Sequence, residues 1–341
     1  MGRVKAAARN IIFGYIGNLT TQLLGFVLRT IFIRHLGQTL NGVNALYTGI
    51  LSVLSMAELG IGTALNYSLY KPVIHKDYEK IKSYMLLYKK AYRIIGFVVA
   101  GIGLVIVPFL PYLVKQPQGV TLRDLTLYYL IFLFNTVSSY FVAYKYSLVN
   151  AEQKNYIQTN IITVTKMITV MLQIIVILTT GNFYAYLLTA ATVELLQKIF
   201  VSRYLNNMYP YLKEKDIKPL TKEEVGEVVK KTKALVLHKV GDVARLQTDA
   251  MIISGFINVT LSGIVDNYNL VISSVSNFVN IIFNSVLSSF GNLIATESRQ
   301  KQYEIFKVYR FFACWIYGFS ATGFLLLLTP VSYTHLRAHE T

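Results

Sequence analysis

Nine segments of this 341-residue chain are long and apolar enough to cross a membrane as helices. They cover residues 10–36, 42–70, 92–114, 125–149, 157–180, 183–205, 234–257, 265–296 and 307–330. A spanning helix needs about 20 mostly apolar residues, and only helices and closed barrels satisfy the backbone hydrogen bonds in lipid. The sequence therefore predicts an all-α transmembrane protein. The seventh segment is the least apolar, because charged residues occupy its first half.

The composition excludes several classes of soluble protein. The chain is 54% hydrophobic and only 15% charged, against roughly 25% charged in ordinary domains. It is nevertheless basic, with 33 Lys and Arg against 17 Asp and Glu. A nucleic-acid binder would carry such charge on a polar soluble domain, which the sequence lacks, so no nucleic-acid partner is expected. The single cysteine, Cys314, excludes a disulfide scaffold.

The cations between the segments predict the orientation of the chain. With the N-terminus in the cytoplasm, 23 of them fall on the cytoplasmic side and three on the outside, namely Arg34, Lys115 and Arg123. Cytoplasmic loops of membrane proteins are enriched in Lys and Arg. The sequence therefore predicts a multi-pass protein with a cytoplasmic N-terminus.

The segments divide the chain into two predicted lobes. Residues 1–205 form an N-terminal lobe of six segments, and residues 234–330 form part of a C-terminal lobe. The charged stretch 206–233 is a cytoplasmic connector, either an amphipathic element or a simple tether. Residues 331–341 read VSYTHLRAHET and resemble translated sequencing-adapter read-through. We expect the natural protein to continue in their place, the alternative being a short polar terminus.

Polar residues recur in helical register inside several segments. Because polar groups are costly in lipid, they should face a protein interior or a water-filled cavity. Asn18, Gln22 and Arg29 share a face of the first segment, Asn44 and Glu58 a face of the second, and Lys166 lies on a polar face of the fifth. His238, Asp242, Arg245 and Asp249 repeat the pattern in the seventh, and Asn277, Asn280 and Asn284 in the eighth.

Six cations deep inside the segments require a common explanation, namely Arg29, Lys145, Lys166, Lys198, Lys239 and Arg245. We interpret Arg29, Lys166 and Arg245 as cations of a central hydrated cavity that binds an anion. Lys145 stands near a segment end and either lines this cavity or reaches the interface. Lys198 lies one turn from Glu194, as an ion pair would. The alternative for Arg245 is an ion pair with Asp242 or Asp249. For the uncharged residues of the polar faces, the alternative is that they pack helices against each other.

Catalytic and metal-binding motifs are absent from the sequence. It contains no H-E-x-x-H, no phosphate-binding loop and no Cys/His cluster of metal-ligand spacing. The one adjacent acidic pair, Glu223 and Glu224, lies in the connector. We therefore expect neither an enzyme nor a metal or other cofactor. If the chain transports a substrate, the energy should come from an ion gradient, the membrane potential or the substrate gradient.

Segments 1–2 and 7–8 are weak copies of each other. In each, an Arg-bearing helix is followed by a short turn with Gly42 or Gly263. An Asn and a Tyr come next, Asn44 and Tyr47 in one copy and Asn267 and Tyr268 in the other. Such repeats are typical of transporters whose site lies between two lobes.

Four stretches carry a resemblance to a known family. They are LRTIFIRHLGQTLNGVNALYTGILSVLSMAELGIGTALNYSLYKP, VGDVARLQTDAMIIS, GIVDNYNLV and SSFGNLIATES. They resemble bacterial polysaccharide flippases of the multidrug, oligosaccharidyl-lipid and polysaccharide exporter superfamily. The resemblance runs from about residue 8 to 329. It implies two lobes with twelve to fourteen helices in total, alternating access, and export of undecaprenyl-diphosphate-linked sugar repeat units across the bacterial cytoplasmic membrane. The chain departs from that pattern by ending after nine segments.

The resemblance also implies roles and partners. Arg29 and Arg245 would approach the diphosphate from the two lobes, with Lys166 and Lys145 as further cavity cations. Asp242, Asp249 and Glu58 are candidates for coupling or gating. The polar cavity is expected to be lined by six uncharged side chains: Asn18, Gln22, Asn44, Asn277, Asn280 and Asn284. The implied partners are the lipid-linked oligosaccharide, membrane lipid, a polysaccharide polymerase and glycosyltransferases.

Two other functions compete with the flippase. A multidrug or cation antiporter of the same superfamily would use an acidic, aromatic-lined cavity, which the intramembrane cations disfavour. A membrane glycan transferase or polymerase is disfavoured by short external loops and missing paired carboxylates.

Overall fold

The computed structural model describes residues 3–58, 61–114, 120–152, 154–214, 217–296 and 298–332, and all regular structure in these ranges is helical. The helices are α1 (Arg3–Leu54), α2 (Ile61–His75), α3 (Tyr78–Ile106), α4 (Leu110–Leu113), α5 (Leu122–Ala151), α6 (Asn155–Thr180), α7 (Phe183–Met208), α8 (Lys222–Phe256), α9 (Val259–Thr296) and α10 (Arg299–Ser332). Short 3₁₀ turns occupy Ser55–Glu58, Val107–Phe109 and Pro210–Lys213. The predicted non-native tail lies almost wholly outside the described residues.

A glycine divides the first helix. Gly37 has a φ of +82°, inside α1, so the helix consists of a first segment (3–36) and a second segment (38–54). Only glycine adopts this conformation without strain. The first two predicted segments are thus separated by a kink rather than by a loop. Beyond Leu54 the chain tightens into a 3₁₀ turn, and Glu58 is its last residue.

Two helices begin well before the predicted segments. α3 begins at Tyr78, where the Asp77 side chain accepts a hydrogen bond from the N–H of Lys80. α8 begins at Lys222, inside the predicted connector, where Thr221 and Glu224 form a reciprocal capping box. Capping stabilises a polar first turn. A hydropathy pattern therefore places both helix starts too late.

Within the residues that the structure describes, six helices are long and apolar enough to cross a membrane. They are Ile12–Leu54, Tyr78–Leu113, Leu122–Ala151, Asn155–Thr180, Phe183–Met208 and Arg299–Leu327. Large apolar side chains such as Phe97, Phe319 and Leu325 point outward from them and are mostly exposed, as expected of helices that face lipid. The chain is therefore a multi-pass membrane protein. The nine spans and the cytoplasmic N-terminus stay predictions.

The helix ends form two groups of contacts. At the first, the Tyr78 and Tyr211 rings are 4.9 Å apart and the Tyr209 hydroxyl donates to Glu152 at 2.8 Å. We name it the cation-rich end, because Lys71 to Arg93 and the connector lie there. At the second, the opposite end, the Tyr184 hydroxyl donates to Asp124. Which end is cytoplasmic follows from the positive-inside prediction alone.

Candidate functional site

A cavity of about 280 Å³ lies between α1, α6, α7 and α9. Gln22 and Arg29 line it from the first segment of α1, Asn44 from the second segment, and Lys166 from α6. Gln22 and Arg29 share a helix face because seven residues make two turns. The structure thus brings four residues of the predicted polar stripes to one cavity.

Arg29 is held by side chains from both halves of the chain. Its guanidinium donates to the Asp266 carboxylate at 2.6 Å, and also to the amide oxygens of Asn41 and Asn267. Asn41 and Asn267 are almost fully buried. The Asn41 amide donates in turn to Asn267 Oδ1 at 3.1 Å. Arg29 therefore lines the cavity as an ion-paired residue, and its role as an anion-binding cation stays a prediction.

Lys166 stands on the wall formed by α6. Among the side chains that the structure describes, no carboxylate comes within ion-pairing distance of its ammonium. Arg29 and Glu194 are the charged groups that act on it. Its side chain is accessible from the cavity. Lys166 thus lines the cavity without an ion-pair partner among the described residues.

Two glycines let the backbones of α1 and α9 touch. A Cβ added to Gly42 would stand 1.8 Å from the carbonyl oxygen of Val259, and one added to Gly263 would stand 2.7 Å from the nitrogen of Gly42. No side chain fits in such a space. These are the two glycines that the sequence places at matching positions of the predicted repeat.

Further side-chain pairs extend this contact along both helices. The hydroxyls of Thr39 and Thr260 are 3.1 Å apart, and Ser274 donates to Gln22 at 2.7 Å. We call the set of pairs Thr39–Thr260, Gly42–Gly263, Asn41–Asn267, Arg29–Asp266 and Gln22–Ser274 the α1–α9 seam. The seam joins the first half of the chain to the second, from the opposite end down to the cavity.

Lys145 and Lys198 lie outside this cavity. Lys145, on α5, donates to Ser202 Oγ at 2.7 Å and to Asn206 Oδ1 at 2.8 Å, both on α7. Lys198 donates to Asn135 Oδ1 at 2.7 Å and lies 4.0 Å from Glu194. The predicted Glu194–Lys198 contact is therefore present, whereas Lys145 does not join Arg29 and Lys166.

The remaining predicted residues are scattered. Glu58 faces the hydroxyls of Tyr92 and Tyr140. Asn18 donates to the Gly14 carbonyl of its own helix at 2.9 Å. Asn277, Asn280 and Asp249 are exposed. The side chains of Asp242, Arg245 and Asn284 lie outside the described part of the structure.

Sequence reasoning missed Asp266 and Asn41 as site residues. Asp266 stands alone in the apolar stretch GIVDNYNLV, and a lone carboxylate among apolar residues signals a buried partner. Asn41 carried no such signal, because it lies in a polar turn at the end of a predicted segment.

No protein-family profile matches the sequence, and no curated protein matches it by sequence. Solved structures match its fold. One is an inward-facing multidrug resistance MATE family transporter of the MOP superfamily, with a TM-score of 0.64 at 15% identity over 93% of this chain and 74% of that chain. An outward-facing form of such a transporter gives 0.60 at 16% identity over 96% and 74% of the two chains.

A third solved structure with the same fold has a binding pocket described as reversed in polarity. It is a MOP superfamily transporter from Pyrococcus furiosus, in which reverse polarity of the binding pocket suggests a different function. It matches with a TM-score of 0.64 at 15% identity, over 98% of this chain and 75% of that chain. The chain therefore has the fold of MOP superfamily transporters.

Proposed function

We propose that this protein is a transporter that flips an anionic lipid-linked oligosaccharide across the bacterial cytoplasmic membrane. The observation that carries the proposal is Lys166, an accessible cation beside Arg29 in a cavity between the two halves. An intramembrane cation without a carboxylate partner is costly, and a phosphate group in the cavity would offset that cost.

The charges around the cavity favour an anion. Arg29 and Lys166 carry two positive charges, and among the described residues Asp266 is the one carboxylate bonded to Arg29. Arg29 presents a planar fork and Lys166 a point charge, and both bind phosphate oxygens. Lys166 would bind the phosphate first, because Arg29 is already engaged.

The α1–α9 seam gives binding a route to conformational change. A phosphate that reaches Arg29 competes with Asp266, so it weakens the pair that closes the seam. Alternating access requires such a differential contact between two states. In the predicted orientation, loosening the seam opens the cavity to the outside.

The test of this function is binding to the purified chain in lipid nanodiscs. An undecaprenyl-diphosphate-linked oligosaccharide is titrated against the wild type, Lys166→Gln and Lys166→Arg. Loss of one charge-assisted contact weakens binding by about tenfold, and we expect Lys166→Arg to retain most of it. The control is Lys301→Gln, an exposed lysine on α10. Equal affinity of Lys166→Gln and the wild type would overturn the proposal.

A second candidate function is export of organic cations. Tyr186 and Phe32 line the same cavity with their rings 5.0 Å apart, and Asp266 would supply the negative charge. Aromatic faces attract cations. Binding of a cationic dye that Asp266→Asn abolishes and Lys166→Gln strengthens would favour this alternative.

A further inference from the structure

A second and larger pocket, of about 690 Å³, opens at the cation-rich end. It lies between α3, α5, α7 and connector residues 212–214 and 217. Its cations are Lys82, Lys89, Arg93, Lys145 and Lys213, and the one described carboxylate that lines it is Glu214. It shares no lining residue with the cavity around Arg29.

The single carboxylate is already engaged. Glu214 accepts from Lys82 at 2.7 Å, and Lys82 is held from its other side by Glu79 at 2.5 Å. These contacts fix the connector on α3. Among the described residues, no carboxylate pairs with Lys89, Arg93 or Lys145.

Neutral groups hold Lys145 in the pocket wall. Ser202 and Asn206 accept from its ammonium, so they fix its position without removing its charge. Lys89 is close enough to act on Lys145 electrostatically. Like charges held together repel each other, and an anion between them removes the repulsion.

We propose that this pocket binds the phosphate groups of an anionic head group. An Arg and two Lys side chains around one space match the oxygens of a phosphate or diphosphate. The site is separate from the α1–α9 cavity, so the proposal does not depend on the transport function. The same chemistry is offered by a lipid head group and by a free phosphate.

One wall of the pocket leads toward lipid. Phe141 lines the pocket and contacts Phe97 with ring centroids 6.1 Å apart. Phe97 is 67% exposed on the outer face of α3. A lipid tail would follow these rings while the phosphate occupies the pocket.

The test uses inorganic pyrophosphate as the probe. Its binding to the purified chain in detergent is measured by equilibrium dialysis. Lys89→Gln and Lys145→Gln should each weaken binding by about tenfold. The matched control is Lys90→Gln, the adjacent residue on α3, which is exposed and outside the pocket. The Lys89→Gln loss is measured again in the Lys166→Gln background, where it should have the same size, and this separates the site from the transport cavity.

Competition identifies the source of the phosphate. Farnesyl diphosphate that displaces labelled pyrophosphate at much lower concentration than unlabelled pyrophosphate does would assign the site to a lipid; equal potency would assign it to a free phosphate. If Lys145→Gln fails to fold, Lys89→Gln and Arg93→Gln carry the test, because Lys89 is half-buried and Arg93 is exposed. A wild type that does not bind pyrophosphate, or a Lys90→Gln variant that loses as much as Lys89→Gln, overturns the proposal.

Discussion

The guanidinium of Arg29 and the carboxylate of Asp266 lie 2.6 Å apart, although 237 residues separate them in the sequence. The side chains are only 16% and 30% exposed, so solvent screens their attraction less than it would at an open surface. The pair joins α1 to α9 and closes the seam between the halves. Its strength should therefore contribute both to stability and to the balance between conformations.

Asp266→Asn should lower the stability of the protein by roughly 1–3 kcal/mol, because it leaves the Arg29 charge uncompensated. Arg29→Gln should have a similar effect. The double variant should lose less than the sum of the single losses, since the second change removes a charge that has already lost its partner. The measurement is thermal unfolding in detergent. If the two single losses of stability simply add in the double variant, the pairing is contradicted. The control is Asp249→Asn, at an exposed position on α8.

Gly42→Ala should prevent the seam from forming. Its Cβ would overlap the Val259 carbonyl oxygen, which is backbone and cannot rotate away. Gly25→Ala is the matched control, because nothing lies within 4 Å of a Cβ at that position of the same helix. We expect lower thermal stability and faster proteolysis between the halves for Gly42→Ala alone. Equal behaviour of the two variants would show that α1 and α9 do not touch here.

Helical register was the part of the site that the sequence could predict. The structure places Gln22, Arg29, Asn44 and Lys166 around one cavity, whereas Asn18, Asn277 and Asn280 are not among its lining residues. Register says which face a residue occupies, but it does not say which helix lies opposite. For that reason Asp266 was missed as the partner of Arg29.

Lys145 shows the same limit in a second way. Its place near the end of an apolar segment left both the central cavity and the membrane–water interface open, and the hydroxyl and amide groups of α7 hold it in the pocket at the cation-rich end. The predicted starts of α3 and α8 were wrong for a different reason. The capped first turns of α3 and α8 are polar, and hydropathy does not detect polar helix.

The capping box at the start of α8 should make the connector sensitive to acid. Hydrogen bonds from Thr221, followed by that from Lys80, lower the pKa of Glu224 below its ordinary value of 4.5. A lowered folded-state pKa means that this stabilisation is present above about pH 4.5 and is lost as the pH falls through the folded value. We expect pepsin to cut near residue 221 increasingly fast below that pH.

The variant Glu224→Gln should remove most of this pH dependence, because glutamine keeps the cap but does not titrate. Glu223→Gln is the control, since Glu223 is the adjacent carboxylate and takes no part in the capping box. An unchanged cleavage profile for Glu224→Gln would show that the cap does not control the connector.

A disulfide across the seam should stop transport while substrate binding continues. The hydroxyls of Thr39 and Thr260 are 3.1 Å apart, a separation at which two cysteines can form a disulfide after small side-chain adjustments. The double variant Thr39→Cys and Thr260→Cys is made with Cys314→Ser, so that no third thiol competes. Oxidation holds α1 against α9 at the opposite end, which blocks opening on that side. Uptake of lipid-linked oligosaccharide into proteoliposomes should fall to background and return on reduction, and Thr39→Cys alone should be insensitive to oxidant. Full transport by the oxidised double variant would show that the seam stays closed throughout the cycle, and the Arg29–Asp266 pair would then have no gating role.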